Sequence, residues 1–203
     1  YWMAIAAIDE ALCNVLAVGG DPAATAMLDN FCWGCCDDPR QMGGLVRTCQ
    51  ACYDAAKAFG VPFISGTDSL NNEFALEAGD TERLIAELDS RLAMPAAWGY
   101  PSSVDGASLA REVAERIRRT GRLSIPNTLL ISAISLVPDV RKCITPDLKS
   151  ADGVLLRVGG LPVTGFALDA AARIRTALDA EMKTGAVRAC HDATGGWLAA
   201  RTG

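Results

Sequence analysis

An α/β fold, α+β arrangements included, is predicted by three observations on the sequence. Helical stretches at residues 2–18, 40–59 and 168–184 alternate with short apolar runs. Those runs are bounded by Gly, Pro, Asp and Asn, and they lead directly into polar loops. Strands that deliver polar loops from between helices belong to layered helix-and-sheet architectures.

Residues 2–18 are Ala-rich, contain neither Pro nor Gly, and stop at Gly19-Gly20, the pattern of a helix with a glycine C-cap. Asp21-Pro22 opens a turn. Residues 25–31 form a short strand carrying Asp29-Asn30 toward the loop at 32–39. A second helix spans about residues 40–59, with Leu45, Cys49, Cys52 and Ala56 at helical spacing, and Gly60-Val61-Pro62 closes it. Residues 62–65 are a strand feeding the polar, glycine-led loop 66–72. The chain then changes character. Residues 76–122 are charged and helical around Pro95, Gly99, Pro101 and Gly106, which predicts two solvated helices joined by a loop. Residues 128–137 predict a buried strand, too short and too β-branched for a long helix, and 153–158 a second strand after the charged turn 147–152. The last helix ends at Gly185, with a short strand expected at 186–189. The pattern passes from one strand-rich unit to another near Asp147, dividing the chain into units at 1–146 and 147–203.

The composition is that of a globular protein: 203 residues, 50% hydrophobic, 21% charged and 6% aromatic, which excludes collagen-like, low-complexity and disordered classes. Nineteen Lys and Arg against 24 Asp and Glu leave a net charge of −5, with no basic cluster, which disfavours a nucleic-acid partner. No apolar run reaches the ~20 residues of a membrane span. A soluble, cytoplasmic protein without a membrane partner is expected, and its eight cysteines are expected to stay reduced, because 203 residues build a core without disulfide staples. With no Met at position 1 and no basic-then-apolar leader, the expectation is a processed chain or an excerpt of a longer one.

Four constellations carry chemistry. Glu10 and Asn14, four apart on the first helix, project from one face, where a carboxylate and an amide oxygen suit a hard cation or simply bond to one another. The segment from Gly66 through Thr67, Asp68, Ser69, Leu70 and Asn71 to Asn72 follows a strand, where backbone N–H groups meet phosphate, although the lysine and spacing of a P-loop are absent. Cys32-x2-Cys35 and Cys49-x2-Cys52 approach zinc-ribbon spacing, but Cys49 and Cys52 fall on apolar helix positions, where free thiols pack as small hydrophobes. The single histidine, His191, precedes Asp192 and Thr194. A carboxylate and a hydroxyl there suit a metal-bound phosphate or, alternatively, an N-cap, and no Ser or Cys is placed to form a triad with His191.

Seven blocks resemble the phosphoribosylformylglycinamidine synthase (formylglycinamidine ribonucleotide synthase) family, within the AIR-synthase-like superfamily. They are residues 6–14 (AAIDEALCN), 17–22 (AVGGDP), 28–34 (LDNFCWG), 51–56 (ACYDAA), 62–73 (PFISGTDSLNNE), 125–134 (IPNTLLISAI) and 187–192 (VRACHD). They follow the family's order over nearly the whole chain and match its later half.

The resemblance implies an AIR-synthase-like N-terminal α/β unit whose sheet pairs with a second copy, then a shortened C-terminal α/β unit. It implies a ligase that uses ATP and ammonia from glutamine to convert formylglycinamide ribonucleotide to formylglycinamidine ribonucleotide, ADP and phosphate, with Mg²⁺ as cofactor. A second AIR-synthase-like half or homodimer copy and a glutaminase subunit or domain are the implied partners. By position, Glu10, Asn14 and Asp192 match Mg²⁺ ligands. Asp29, Gly66 and Thr194 match nucleotide contacts, and Ser69 a substrate contact. The family's catalytic histidine belongs to the other half, and His191 is not its counterpart. Thr67 stands where relatives usually carry Lys, one residue is missing before Gly195-Gly196, and the stretch between Val158 and Phe166 is short. These departures keep a second reading open, a non-catalytic nucleotide-binding or structural remnant that pairs with another subunit. Half of a paired sheet would also expose apolar surface, so self-association is expected.

Overall fold

The computed structural model describes residues 1–92, 106–159 and 167–192. Helix α1 (Trp2–Ala17) buries Ala4, Ile5, Ile8, Leu12 and Leu16, a stripe at i, i+3 and i+4 spacing. It stops where the sequence predicts. Gly19, at φ +97°, donates its N–H to the Leu16 carbonyl at 2.8 Å, and Gly20 donates to Val15 at 2.9 Å. A side chain would strain that left-handed backbone. A 3-10 turn, Pro22–Ala24, is capped by the Asp21 carboxylate and leads into strand β1 (Thr25–Cys32).

Helix α2 (Pro39–Phe59) has Pro39 at its start and Asp38 as N-cap, accepting from the Arg40 N–H at 2.9 Å. Strands β2 (Phe63–Ser69) and β3 (Glu73–Ala75), helices α3 (Ala78–Leu92) and α4 (Gly106–Thr120), and strands β4 (Arg122–Ser124) and β5 (Thr128–Ser135) follow. After a 3-10 turn at Val140–Lys142, helix α5 (Leu168–Thr184) completes the described elements.

β1 is the centre of a three-stranded sheet, parallel to β2 and antiparallel to β5. Helix α1 lies against β5 and α2, and α5 packs on both helices. Between this helical layer and the sheet lie Ile5, Ile8, Leu12, Met27, Phe31, Trp33, Ala51, Ala55 and Leu129. Each large aliphatic or aromatic side chain buried there contributes about 1.5–3 kcal/mol. The opposite sheet face is open: Leu130 is 59% and Ile134 60% exposed. Residues 128–137 are thus a one-sided strand, with Leu129 buried and its neighbour exposed, rather than a strand buried on both faces.

Residues 76–122 also differ from two solvated helices. α3 and α4 bury Ile85, Ala114 and Ile117 against each other, and the antiparallel pair β3–β4, whose connection is these two helices, completes this small core. Arg116 of α4 ties it to the rest, donating to Asp38 at 2.8 Å and to Glu73. The strands expected at 153–158 and 186–189 do not form. Val154 and Leu156 are 83% and 75% exposed, and an apolar run becomes a strand only where a neighbouring strand takes up its backbone hydrogen bonds. The loop expected at 66–72 begins later, because β2 continues to Ser69 along β1.

Candidate functional site

The parallel pair β1–β2 carries Asp29 and Gly66 as direct neighbours in register. β1 meets β2 through a bulge, Met27 opposite Phe63 and Leu28 opposite Ser65, which brings Gly66 opposite Asp29 and Asp68 opposite Phe31. Alternation then places Asp29, Gly66 and Asp68 on the helix-covered face, and Thr67 and Ser69 on the open one. The Asp29 carboxylate lies over the Gly66 backbone so closely that a Cβ at Gly66 would collide with it. Burial first, then the Asp68 carboxylate, raises the Asp29 carboxyl above its ordinary value. The Asp29 charge also reaches α2: burial pushes the Cys52 thiol up to about 12, with smaller contributions from Cys49 and Asp29. Such a field repels phosphate oxygens and accepts hydrogen bonds from hydroxyl or amino donors.

Beyond the ends of β1 and β2, two loops are stitched together. Trp33 donates its N–H to the Ser69 carbonyl at 2.9 Å, Asn72 to Trp33 at 2.8 Å, and Asn71 to Gly34 at 3.1 Å. Asn71 adopts φ 57°, and its side-chain oxygen accepts from the Cys36 N–H at 2.9 Å. Trp33 is 1% exposed and donates from Nε1 to the Gln41 carbonyl at 2.8 Å, which fixes the loop to α2. Ser69 sits at the start of this braced loop, exposed on the open face.

Glu10 and Asn14 are both exposed, on the side of α1 opposite its buried stripe. The helix therefore stands between them and the Asp29–Gly66 pair. On the flank of α1, Asp9 is paired with the Arg175 guanidinium of α5. Burial, above all, raises the Asp9 carboxyl; Arg175 lowers it, and Asp192 adds a smaller rise. The Cys13 thiol, one turn on, is pushed up to about 11 by burial and then by Asp9, with Asp192 adding a smaller rise. Asp192 itself is half-buried. Two carboxylates and an amide are hard oxygen donors that fit Mg²⁺ chemically. No group of three or more His, Cys, Asp or Glu side chains able to hold a metal converges among the described residues, the four cysteines at zinc-ribbon spacing included. Of those, Cys52 is buried and Cys49 exposed on α2.

Residues 1–79, from α1 to the start of α3, match the family described as "AIR synthase related protein, N-terminal domain". The chain is also similar to phosphoribosylformylglycinamidine synthase subunit PurL of several organisms. The Methanocaldococcus jannaschii protein is 36% identical over 77 residues, 38% of this chain and 10% of that protein. The Rhodospirillum rubrum protein is 42% identical over 67 residues, 33% of this chain and 9% of the relative. The Thermococcus sibiricus protein is 34% identical over 73 residues, 36% of this chain and 10% of the relative. The chain thus spans about a tenth of the length of the curated relatives it matches. No solved structure matches it.

Glu10, Asn14, Asp29, Gly66 and Ser69 all lie inside the AIR synthase-related segment, whereas Asp192 and Thr194 lie beyond it. Thr194, with the N-cap role considered for it, falls outside the described residues. The structure brings Asp29 to Gly66 and does not bring the α1 pair, Glu10 and Asn14, to them. Sequence reasoning missed Arg175 and named Asp68 and Asn71 only as members of the loop 66–72, without a role of their own. Asp68 shares Asp29's face only because of the bulge, and Arg175 looked like one of several charges on an amphipathic helix. Asn71 had a local signal, since Asn tolerates the left-handed region. Among the described residues no helix is long and apolar enough to cross a membrane.

Proposed function

We propose that the chain is a magnesium- and nucleotide-binding segment of a cytoplasmic phosphoribosylformylglycinamidine synthase, completed by a second AIR-synthase-like unit. The observation that carries this reading is the Asp29 carboxylate held against Gly66 in the middle of two parallel strands, whose carboxyl ends, where layered α/β folds bind ligands, open into the braced loops at Trp33 and Ser69. Asp29 accepts hydrogen bonds from the hydroxyl or amino groups of a nucleoside, and Gly66 leaves room for that approach. Thr194 adds a hydroxyl at the nucleotide, and Ser69 presents its own to the ribonucleotide substrate from the braced loop. Glu10, Asn14 and Asp192 supply the oxygen donors for Mg²⁺, which when bound offsets negative charge on phosphate oxygens during phosphoryl transfer.

In the complete reaction, ATP activates the amide oxygen of formylglycinamide ribonucleotide, and ammonia from a glutaminase partner displaces phosphate to give formylglycinamidine ribonucleotide. The separation of the α1 group from the sheet pair supports a site shared between two units, each contributing one part. A pairing role without catalysis is the second reading, and the apolar open face of the sheet, with Leu130 and Ile134, favours it. Calorimetric titration of Mg-ATP and Mg-ADP, alone and with the other half supplied in trans, separates the two. Restored ammonia-dependent synthesis supports the catalytic segment; tight ADP binding without turnover supports the pairing role. Glu10→Ala is expected to abolish Mg²⁺-dependent nucleotide affinity, and wild-type affinity in that variant overturns the assigned metal site.

A further inference from the structure

Two loops leave the carboxyl ends of β1 and β2 side by side. Residues 33–38 run from Cys32 to the α2 cap at Asp38, and residues 70–72 run from Ser69 to β3 at Glu73. At their near ends the strand register holds them together, with Cys32 opposite Ser69. Between the ends run the cross-loop bonds donated by Trp33, Asn71, Asn72 and Cys36. At their far ends a single side chain joins them. Arg116 of α4 donates from Nη1 to Asp38 at 2.8 Å and from Nη2 to Glu73, and the Arg116, Asp38 and Glu73 side chains are only 16%, 21% and 7% exposed. Arg122 of β4 lies 4.0 Å from the other Glu73 oxygen. The chain around β4 also closes on the loops directly. Ile125 donates its N–H to the Asn72 carbonyl at 3.2 Å, and a Cβ on Gly34 would collide with the Ser124 hydroxyl. The unit made of β3, α3, α4 and β4 therefore grips both loops. A buried ion pair adds little net stability over apolar packing, but the two arms of one planar guanidinium fix how far apart two carboxylates stand.

We propose that Arg116 is a positioning residue for the ribonucleotide site: by joining Asp38 to Glu73 it clamps the far ends of both loops and holds Ser69 in place for the substrate. The inference rests on the reading of Ser69 as a substrate contact. A site that is competent for only a tenth of the time binds about tenfold more weakly, so a loosened clamp is read directly as lost affinity.

Two measurements on the full chain test it: amide hydrogen exchange, which follows the loops, and calorimetric titration with formylglycinamide ribonucleotide, which follows the site. Wild type is compared with Ser69→Ala, Arg116→Met, Arg116→Lys, the double variant Ser69→Ala/Arg116→Met and the neutralised triple variant Asp38→Asn/Glu73→Gln/Arg116→Met, each checked for folding by circular dichroism. In Arg116→Met the cross-loop amides of Trp33, Cys36, Asn71 and Asn72 are expected to exchange at least about tenfold faster while those of β1 are unchanged, and ribonucleotide affinity to fall about tenfold. Arg116→Lys should recover part of both losses. Because Arg116 acts through Ser69, its removal from the Ser69→Ala chain should cost no further affinity. Full additivity would show a role unconnected with Ser69 and overturn the proposal. So would wild-type exchange in a folded Arg116→Met. Wild-type protection in the triple variant would reduce Arg116 to a counter-ion for two carboxylates and overturn it as well. Should Arg116→Met not fold, Arg116→Lys decides: wild-type exchange overturns the proposal, and faster exchange confined to the cross-loop amides supports it. Unchanged affinity in Ser69→Ala, or no ribonucleotide affinity in the wild type, indicts the substrate reading itself, and the exchange rates then decide whether Arg116 clamps the loops.

Discussion

Gly66→Ala separates the role of the Asp29–Gly66 contact in binding from any role in stability. The added Cβ lands on the Asp29 carboxylate, the far end of a short, half-buried side chain, and not on backbone. Gly66 has no positive φ among the described glycines, so alanine brings no conformational strain of its own. The least costly relief is for Asp29 to leave its rotamer, about 0.5–1.5 kcal/mol. Against this, replacing Gly by Ala at a compatible position restores about 0.4–1 kcal/mol by restricting the unfolded chain. The net change therefore lies between about 0.5 kcal/mol of stabilisation and about 1 kcal/mol of destabilisation, a fall in Tm of at most about 2–4 °C for a chain of this size. Nucleotide affinity should fall much further, because the variant both displaces the Asp29 acceptor and fills the space beside it. Differential scanning calorimetry and titration with Mg-ADP measure the two quantities on the same sample. A stability loss beyond about 3 kcal/mol, the overpacking range, would mean that Asp29 is wedged and the strands must part. Undiminished Mg-ADP affinity would remove the sheet pair from the binding site.

Three further outcomes are expected. Ile8, fully buried between α1 and the sheet, should cost about 2–5 kcal/mol when replaced by alanine, read as a lower urea midpoint at unchanged slope; a loss under 1 kcal/mol would deny that this core is closely packed. Because burial and Asp68 raise the Asp29 carboxyl, protonated Asp29 favours the folded state, so that contribution is complete below the ordinary carboxylate range and is lost as pH rises through the raised value. Asp29→Asn should remove this step from stability measured against pH, and an identical profile in the variant would refute the assignment. Leu130→Lys with Ile134→Lys places charge on the open sheet face and should abolish self-association in sedimentation experiments, leaving the fold intact; an unchanged oligomer would locate the contact elsewhere.

Local signals made much of the fold legible. Helix α1 announced itself through an Ala-rich run closed by Gly19-Gly20, and α2 through Asp38-Pro39 at one end and Gly60 at the other. Partnering was not legible. Residues 153–158 carry as apolar a run as β1 yet stay extended and exposed, whereas the three-residue strands β3 and β4 form because each finds the other. Two helices with a strongly charged pattern conceal a small core at Ile85, Ala114 and Ile117, since a narrow apolar stripe is sufficient once a partner helix covers it. The shared exposed face of Glu10 and Asn14 on α1 was readable from their spacing. Asp68 was not, because its face depends on a one-residue bulge that no local pattern encodes.

The two proposed Mg²⁺ ligands on α1 and the third, Asp192, rest on different grounds, and the difference bears on the proposed function. Glu10 and Asn14 lie in the segment that matches the AIR synthase-related family; Asp192 lies more than a hundred residues beyond its end. The family match therefore says nothing about Asp192. Helix α5 packs on α1 and α2, and the Arg175–Asp9 pair ties it there without any cation. Mg²⁺ binding by the folded Asp192→Asn variant decides the matter: affinity lowered as in Glu10→Ala places Asp192 in the same site, and wild-type affinity limits the site to α1.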